Sequence, residues 1–330
     1  MKILSHNITN NGTTILGMNL RELDRMVIQT NCCQLIKLSI CSKRISTQIN
    51  SARLYSQKVV VVLNLRKQIS VLSRNDKDNC EIFTYPDSGK RHNSNAQQVS
   101  IACCTVNAVS IPIGIKTFWK NQEEGFLSVI RHLLKMFQCK ISTGQYCWRQ
   151  ESFQPILTEL FDLQQEFGTI TVGLHETVDH KWLNHIFSYL GLVERLEILS
   201  TNFLPPSTFI PTFPPWPRRR IIIESNSSWL TLDILFTCTC SYIDIAKTNL
   251  ENKELDDILT HWKAGGLPNL KYLEIGSTKF KRNGDPILEM VPNEWEGQLT
   301  IRTDDGSKTA KVHLRGNYLV MYTLLIDLNF

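Results

Sequence analysis

Residues 254–275, ELDDILTHWKAGGLPNLKYLEI, carry two periods in succession. Leu255, Ile258, Leu259 and Trp262 recur at i, i+3, i+4 and i+7, the apolar stripe of one helix. Glu254, Asp256 and Asp257 stand near its start, where the helix dipole favours negative charge, and Lys263 stands near its end. Gly265 and Gly266 permit a left-handed cap, and Pro268 forbids resumption. Leu270-x-x-Leu273-x-Ile275 then alternates as a strand does.

The same succession occurs upstream. Met136-x-x-Cys139-x-Ile141 follows a helical stripe of Phe126, Val129, Ile130, Leu133 and Leu134. Phe167-x-x-Ile170-x-Val172 follows Ile156, Leu157, Leu160 and Phe161, and Val193-x-x-Leu196-x-Ile198 follows Trp182, Leu183, Ile186, Phe187 and Leu190. Cys240-x-x-Ile243-x-Ile245 follows a short apolar segment with Leu232, Leu235 and Phe236. Before Arg218-x-x-Ile221-x-Ile223 the proline-rich stretch LPPSTFIPTFPPWPRRR takes the place of a helix, as a rigid surface loop or an extended recognition segment. The middle strand residues 139, 170, 196, 221, 243 and 273 are separated by steps of 31, 26, 25, 22 and 30. An ordinary α/β domain also alternates helix and strand. The Leu-x-x-Leu-x-Leu phase, held in five units and partly in a sixth, predicts a leucine-rich-repeat-like α/β solenoid over 121–330. Thr201, Asn226, Thr248 and Thr278 fall three residues after the last strand apolar, where a polar group can satisfy the backbone of such a coil.

The ends read differently. Within 55–120, KVVVVLNLRKQISVLS, NCEIFTYPDSGK and QVSIACCTVNAVSIPIGI are strand-like runs without a helical stripe, and they predict a small antiparallel β segment. GQLTIRTDDGSKTAKVHL predicts a closing hairpin turning at Asp305-Gly306, and NYLVMYTLL a last strand covering the solenoid end. In 16–50, NLRELDRMVIQT and CCQLIKLSICSKRISTQI predict two or three short helices, too few to fold well alone.

Composition changes this picture little. Of 330 residues 42% are hydrophobic and 20% charged, enough apolar text for a substantial core. The net charge of +5 is too diffuse to point to nucleic acid. No apolar run is long enough to span a bilayer and the first residues, MKILSHNITNNGTT, hold no signal-like apolar region, so an intracellular location, cytoplasmic or nuclear, is expected without membrane association. The ten cysteines then read as reduced thiols; Cys32-Cys33, Cys103-Cys104 and Cys238-x-Cys240 match no zinc or redox spacing.

Enzymatic motifs are not found. His175, His180 and His185 recur every five residues, which does not align them on one helix face, and HETVDH lacks the H-E-x-x-H spacing of a zinc hydrolase. No nucleophile elbow, phosphate loop or dinucleotide fingerprint occurs, so no cofactor and no catalytic activity are expected. What remains is a binding surface. Between the inward strand apolars stand Arg195, Glu197, Arg220, Tyr242, Asp244, Tyr272 and Glu274, with Lys140, Thr171, Ile222 and Glu224 beside them. Mixed charge with two tyrosines is the composition of a protein-binding face, since Tyr and Arg are enriched in hot spots; a solvated sheet face is the other reading.

LIKLSICSKRI resembles the second half of an F-box as it occurs in a large nematode family, and ELDDILTHWKAGGLPNLKYLEI resembles the core of the F-box associated type 2 domain. IRTDDGSKTAKVHL is similar to the end of that domain, so the resemblance covers about 16–50 and 195–325. It implies a substrate receptor of a cullin-based ubiquitin ligase, with N-terminal helices on a Skp-type adaptor and the C-terminal domain on a protein target. Carried over, the adaptor-facing positions are Met18, Leu20, Leu23, Val27, Leu35, Leu38 and Cys41, with Ser42, Lys43 and Arg44 at the polar end of the motif. Asn19 replaces the proline that usually starts the first helix, and Thr30 stands where leucine is preferred. These departures describe a degenerate F-box and leave a second expectation, a repeat-type binding scaffold whose F-box no longer docks.

Overall fold

The computed structural model of the chain describes residues 32–41, 46–47, 59–64, 67–73, 79–88, 95–102, 104–144, 154–163, 165–174, 180–200, 215–224, 226–295 and 297–324. Two compact units, Met1–Ile156 and Leu157–Phe330, divide it.

In the first unit the strands are β1 (Val59–Asn64), β2 (Gln68–Ser73), β3 (Asn79–Pro86), β4 (Gln97–Ile101), β5 (Cys104–Ile111), β6 (Gly114–Trp119) and β7 (Ile141–Thr143). They hydrogen-bond in the order β7-β1-β2-β3-β6-β5-β4. Most pairs are antiparallel, but β3/β6 and β1/β7 are parallel. The text VVVVLN shows how one face is chosen: Val59, Val61 and Leu63 are buried, and the alternate residues are half-buried. Helices α1 (Cys32–Cys41) and α2 (Gln122–Phe137) belong to this unit. Helix α2 begins at Asn121, whose side chain accepts from the N–H groups of Glu123 and Glu124, and ends where Gln138 turns left-handed at φ 48°. Helix α1 buries Leu35, Ile36, Leu38 and Ile40 and touches β2, β3 and β4. Burial of each such side chain contributes roughly 1.5–3 kcal/mol before chain entropy is set against it. The two helices meet at a polar contact, with Ser39 Oγ and His132 Nε2 2.9 Å apart.

In the second unit the strands are β8 (Phe167–Leu174), β9 (Val193–Ser200), β10 (Arg220–Ile223), β11 (Tyr242–Thr248), β12 (Tyr272–Ser277), β13 (Gln298–Arg302), β14 (Thr309–Arg315) and β15 (Tyr318–Leu324). Helices α3 (Gln154–Asp162, crossing the unit boundary), α4 (His180–Ser188), α5 (Leu232–Phe236) and α6 (Asn252–Lys263) precede four of them. The order is β8-β9-β10-β11-β12-β15-β14-β13. Strands β8 to β12 run parallel, and β15, β14 and β13 continue the sheet antiparallel.

Local chemistry explains the opening stretch of sequence. The Glu254 carboxylate accepts from the Glu251 N–H at 2.8 Å, which starts α6. Asn252 donates to the carbonyls of Lys281 and Asp285, and Asp256 accepts from Leu288 N–H at 2.7 Å, so the first turns of α6 also anchor the loop that follows β12. Leu255, Ile258, Leu259 and Trp262 have no exposed surface. The His261 ring stacks on Phe236 at 4.1 Å, and a Cβ at Gly266 would stand 2.2 Å from His261 Nε2. The glycine is required because the ring occupies the space of a side chain. Beyond the strands, Thr248 Oγ1 donates to Gly276 O and Thr278 Oγ1 to Thr248 O, both at 3.0 Å, linking neighbouring crossings through their backbones. Thr201, the first position of that expected ladder, lies outside the described residues.

The architecture corrects the expected fold class. The chain is not a helical N-terminal module followed by a leucine-rich-repeat-like solenoid; it is strand-dominated, with mixed parallel and antiparallel sheets. A solenoid stacks like coils, each against its neighbours. Here β12 takes the antiparallel β15 as its next neighbour, and the hairpin of β13 and β14 extends the sheet through β15. Steps of 22 to 31 residues also suit a strand, a crossover and a parallel strand, so the period does not separate the two forms. The 55–120 segment likewise holds a parallel pair, β3/β6. Helix α1 lies buried on strands of the first unit instead of standing apart.

Two stability measurements follow from this packing. Gly266→Ala forces the His261 ring off Phe236 and lowers the free energy of unfolding in urea by about 1–3 kcal/mol. Burial, aided by the charge of Lys135, holds the His132 imidazole down at about 4 from its ordinary 6.5. The unfolded chain therefore binds this proton first: the stability is present above pH 6.5 and is lost as pH falls toward 4. Urea midpoints at the two pH limits should show a loss of roughly 2–3 kcal/mol from this group that His132→Gln removes.

Candidate functional site

The inward residues Leu196, Ile221, Ile243 and Leu273 are fully buried and lie side by side in the parallel register of β9 to β12. Alternation then sends their neighbours to the other face. One cross-strand row on that face reads Thr169, Arg195, Arg220, Tyr242, Tyr272 and Tyr322; the next reads Thr171, Glu197, Ile222, Asp244, Glu274 and Val320. All seven residues expected from sequence to bind a target, Arg195, Glu197, Arg220, Tyr242, Asp244, Tyr272 and Glu274, are therefore in these two rows.

Their side chains form a stacked ladder. The Arg220 guanidinium carbon lies 3.9 Å from the centre of the Tyr242 ring. Tyr242 stacks on Tyr272 with ring centres 4.4 Å apart and planes inclined by 13°. The Tyr272 hydroxyl donates to the Glu274 carboxylate one pleat away on the same strand. Thr171 Oγ1 donates to Glu197 Oε2 at 3.3 Å. Except for exposed Arg195, the seven are half-buried, since each leans on its cross-strand neighbours.

Charge is unevenly distributed. Asp244 and Glu274 face each other in register. Burial raises the Asp244 pKa, the charges of Glu274 and Glu224 raise it further, and Arg220 opposes them. Burial also raises the Tyr272 hydroxyl, which its bond to Glu274 reinforces. The phenol therefore stays protonated and remains a donor.

Other candidates do not assemble. Among the described residues no group of three His, Cys, Asp or Glu side chains is placed to hold a metal ion. His185 packs edge-on against Tyr189 at 5.1 Å, and the His261 ring stacks on Phe236; His175 lies outside the described residues. Burial pushes the Cys139 thiol up to about 12, and a bond to Cys238 together with burial raises Cys240, so these thiols are protonated core residues. Of the adaptor-facing positions, Leu35 and Leu38 are on the buried side of α1, Cys41 is exposed, and Met18, Leu20, Leu23, Val27 and Arg44 lie outside the described residues. The sequence reading missed Tyr322, which enters the first row only because β15 pairs with β12. Its one local signal is the half-buried Tyr318 and Tyr322 set in alternation with the fully buried Leu319 and Met321.

Residues 216–275 match the family model described as F-box associated. No curated protein and no solved structure matches the chain. The matched segment runs from Trp216 through β10, α5, β11 and α6 into β12, and so contains Arg220, Tyr242, Asp244, Tyr272 and Glu274. Among the described residues no helix is long and apolar enough to cross a membrane.

Like charges set opposite on adjacent strands oppose folding. Because its folded pKa is raised, the ionised Asp244 is less favourable in the folded state at neutral pH, and this deficit disappears as the group protonates. Asp244→Asn should raise the free energy of unfolding in urea at pH 7 by about a few tenths of a kcal/mol and leave it unchanged at pH 3.

Proposed function

We propose that the chain is a substrate-recognition subunit of a cullin-based ubiquitin ligase, in which the outer face of β9 to β12 holds a protein target. The observation that carries this reading is the coincidence of the F-box associated match with the ladder: the matched residues supply five of the seven side chains on the face. The stacked Arg220, Tyr242 and Tyr272 have the composition of a hot spot, in large, rigid groups whose ordering cost is already met by the sheet. On this reading the protein makes and breaks no bonds. It works inside the cell, in nucleus or cytoplasm, by raising the concentration of a target beside a ubiquitin-loaded partner. The adaptor side rests on the resemblance of the N-terminal segment, through Met18, Leu20, Leu23 and Val27.

A second reading, a binding scaffold that no longer docks the adaptor, is favoured by one observation. Leu35 and Leu38, two of the positions that the resemblance assigns to the adaptor, are 0% and 9% exposed because α1 packs on the sheet of its own chain. An adaptor could reach them only if that helix left the core.

Co-purification of the full chain with a Skp-type adaptor separates the two readings. Under the first, the adaptor is retained at equal stoichiometry and Leu23→Asp reduces retention at least tenfold without moving the thermal midpoint. Leu38→Asp is unsuitable, because a charge there would be buried in the first unit's core. A folded parent chain that retains no adaptor establishes the scaffold.

A further inference from the structure

The ring ladder has two ends, and among the described residues a cation stacks at one of them. At the first end the Arg220 guanidinium covers Tyr242. At the other end stands Tyr272. Its register partner on β15, Tyr322, does not continue the stack: its hydroxyl donates to Gln298 Oε1 at 3.0 Å and its ring meets His313 edge-on at 6.3 Å. Among the described residues no ring or cation stacks on the second face of Tyr272.

One carboxylate, Glu274, is one pleat from Tyr272 on β12, and a second, Asp244, lies one strand further from the open end, on β11. Glu274 is held by the Tyr272 hydroxyl, and Asp244 stands opposite it in register. Among the described residues neither has a basic side chain within ion-pairing distance, although the chain as a whole carries a net charge of +5. A sheet ordinarily places opposite charges across such a pair. Here the aromatic face and the anionic pair are adjacent, which is the arrangement that binds a cation through both ring quadrupole and charge.

Resting on the reading that this face holds the target, we propose that the open end of the ladder, formed by Tyr272 and Glu274 with Asp244 on the strand behind them, receives a guanidinium or ammonium group from a basic, extended segment of the partner protein. The incoming cation stacks on Tyr272 as Arg220 stacks on Tyr242, its N–H groups donate to Glu274, and Asp244 on the next strand adds negative charge to the site. The residues of β10, β11 and β12 thus set a preference for Arg or Lys in the target. Arg220 at the opposite end repels a second cation and fixes the direction in which a charged segment lies.

The test uses the intact chain and fluorescence anisotropy with labelled Gly-Ser peptides carrying arginines, with citrulline in their place, or with glutamates. The positive net charge of the protein works against non-specific capture of the arginine peptide, so its binding reports a local site. The arginine peptide is expected to bind about tenfold more tightly than its citrulline counterpart, and the glutamate peptide not at all. Glu274→Gln should weaken the arginine peptide by about tenfold, and Asp244→Asn, which removes charge one strand away, by less. Tyr272→Phe, which keeps the ring and releases Glu274, should weaken it less than Tyr272→Leu. Arg220→Gln should not weaken it. Failure of the arginine peptide to bind, binding untouched by the carboxylate variants, or preference for the glutamate peptide would each overturn the proposal. A photo-crosslinking residue at position 222, central on the same face, then locates the failure. Crosslinking to another protein in cell extract means that the face is an interface of different chemistry. No crosslink, together with no peptide binding, removes the target-binding reading as well.

Discussion

The in-register burial of Leu196, Ile221, Ile243, Leu273 and Met321 is the constraint on which the second unit depends. Side chains alternate along a strand, so a slip of one residue in any pair would turn that strand's apolar set outward and its polar set inward. The cost of exposing two or three Leu or Ile side chains is several kcal/mol, comparable to the whole stability of a domain. The same register that protects the core therefore aligns Arg220, Tyr242 and Tyr272 in one row and Glu197, Asp244 and Glu274 in the next. The face is as precise as the core behind it.

That precision explains why the face tolerates arrangements that a free surface would lose. Two tyrosines 4.4 Å apart with a guanidinium on one side are held by neighbouring strands, so little side-chain entropy remains to be lost when a partner arrives. The opposed Asp244 and Glu274 are a small local cost that the apolar burial opposite easily offsets. The helix side contributes rigidity: Trp262 is fully buried, His261 is clamped between Phe236 and Gly266, and Asn252 and Asp256 bind the backbone of the next loop. The last two tie the crossover to the loop beyond β12.

In the first unit α1 has the opposite character. Its apolar stripe, Leu35, Ile36 and Ile40, completes the core over β2, β3 and β4 and is fixed at one side by the contact of Ser39 with His132. A helix used in this way is a structural part of its own unit. Whatever the residues before it do, these side chains are committed to the fold, and their availability to a partner is linked to the stability of the first unit.

By itself the sequence determined the periods and their phases. The stripe Leu255, Ile258, Leu259, Trp262 and the alternation of Leu270, Leu273 and Ile275 follow from the geometry of helix and strand alone, and so did the sharing of one face by Arg220, Tyr242, Asp244, Tyr272 and Glu274. The polar ends of the strands were legible as well, because Thr248 and Thr278 stand where a backbone group would otherwise lack a partner. Only the tertiary structure decided how the strands are used. The sequence does not state that β15 returns antiparallel to β12, which brings Tyr322 to the face and makes the sheet mixed, since a repeat of 22 to 31 residues serves a solenoid and an α/β crossover alike. Nor does it state that α1 lies over strands far along the chain, or that Arg220 turns its guanidinium onto Tyr242. Those outcomes are pairings between residues distant in sequence, chosen by which apolar surfaces remain to be covered once each local element has formed.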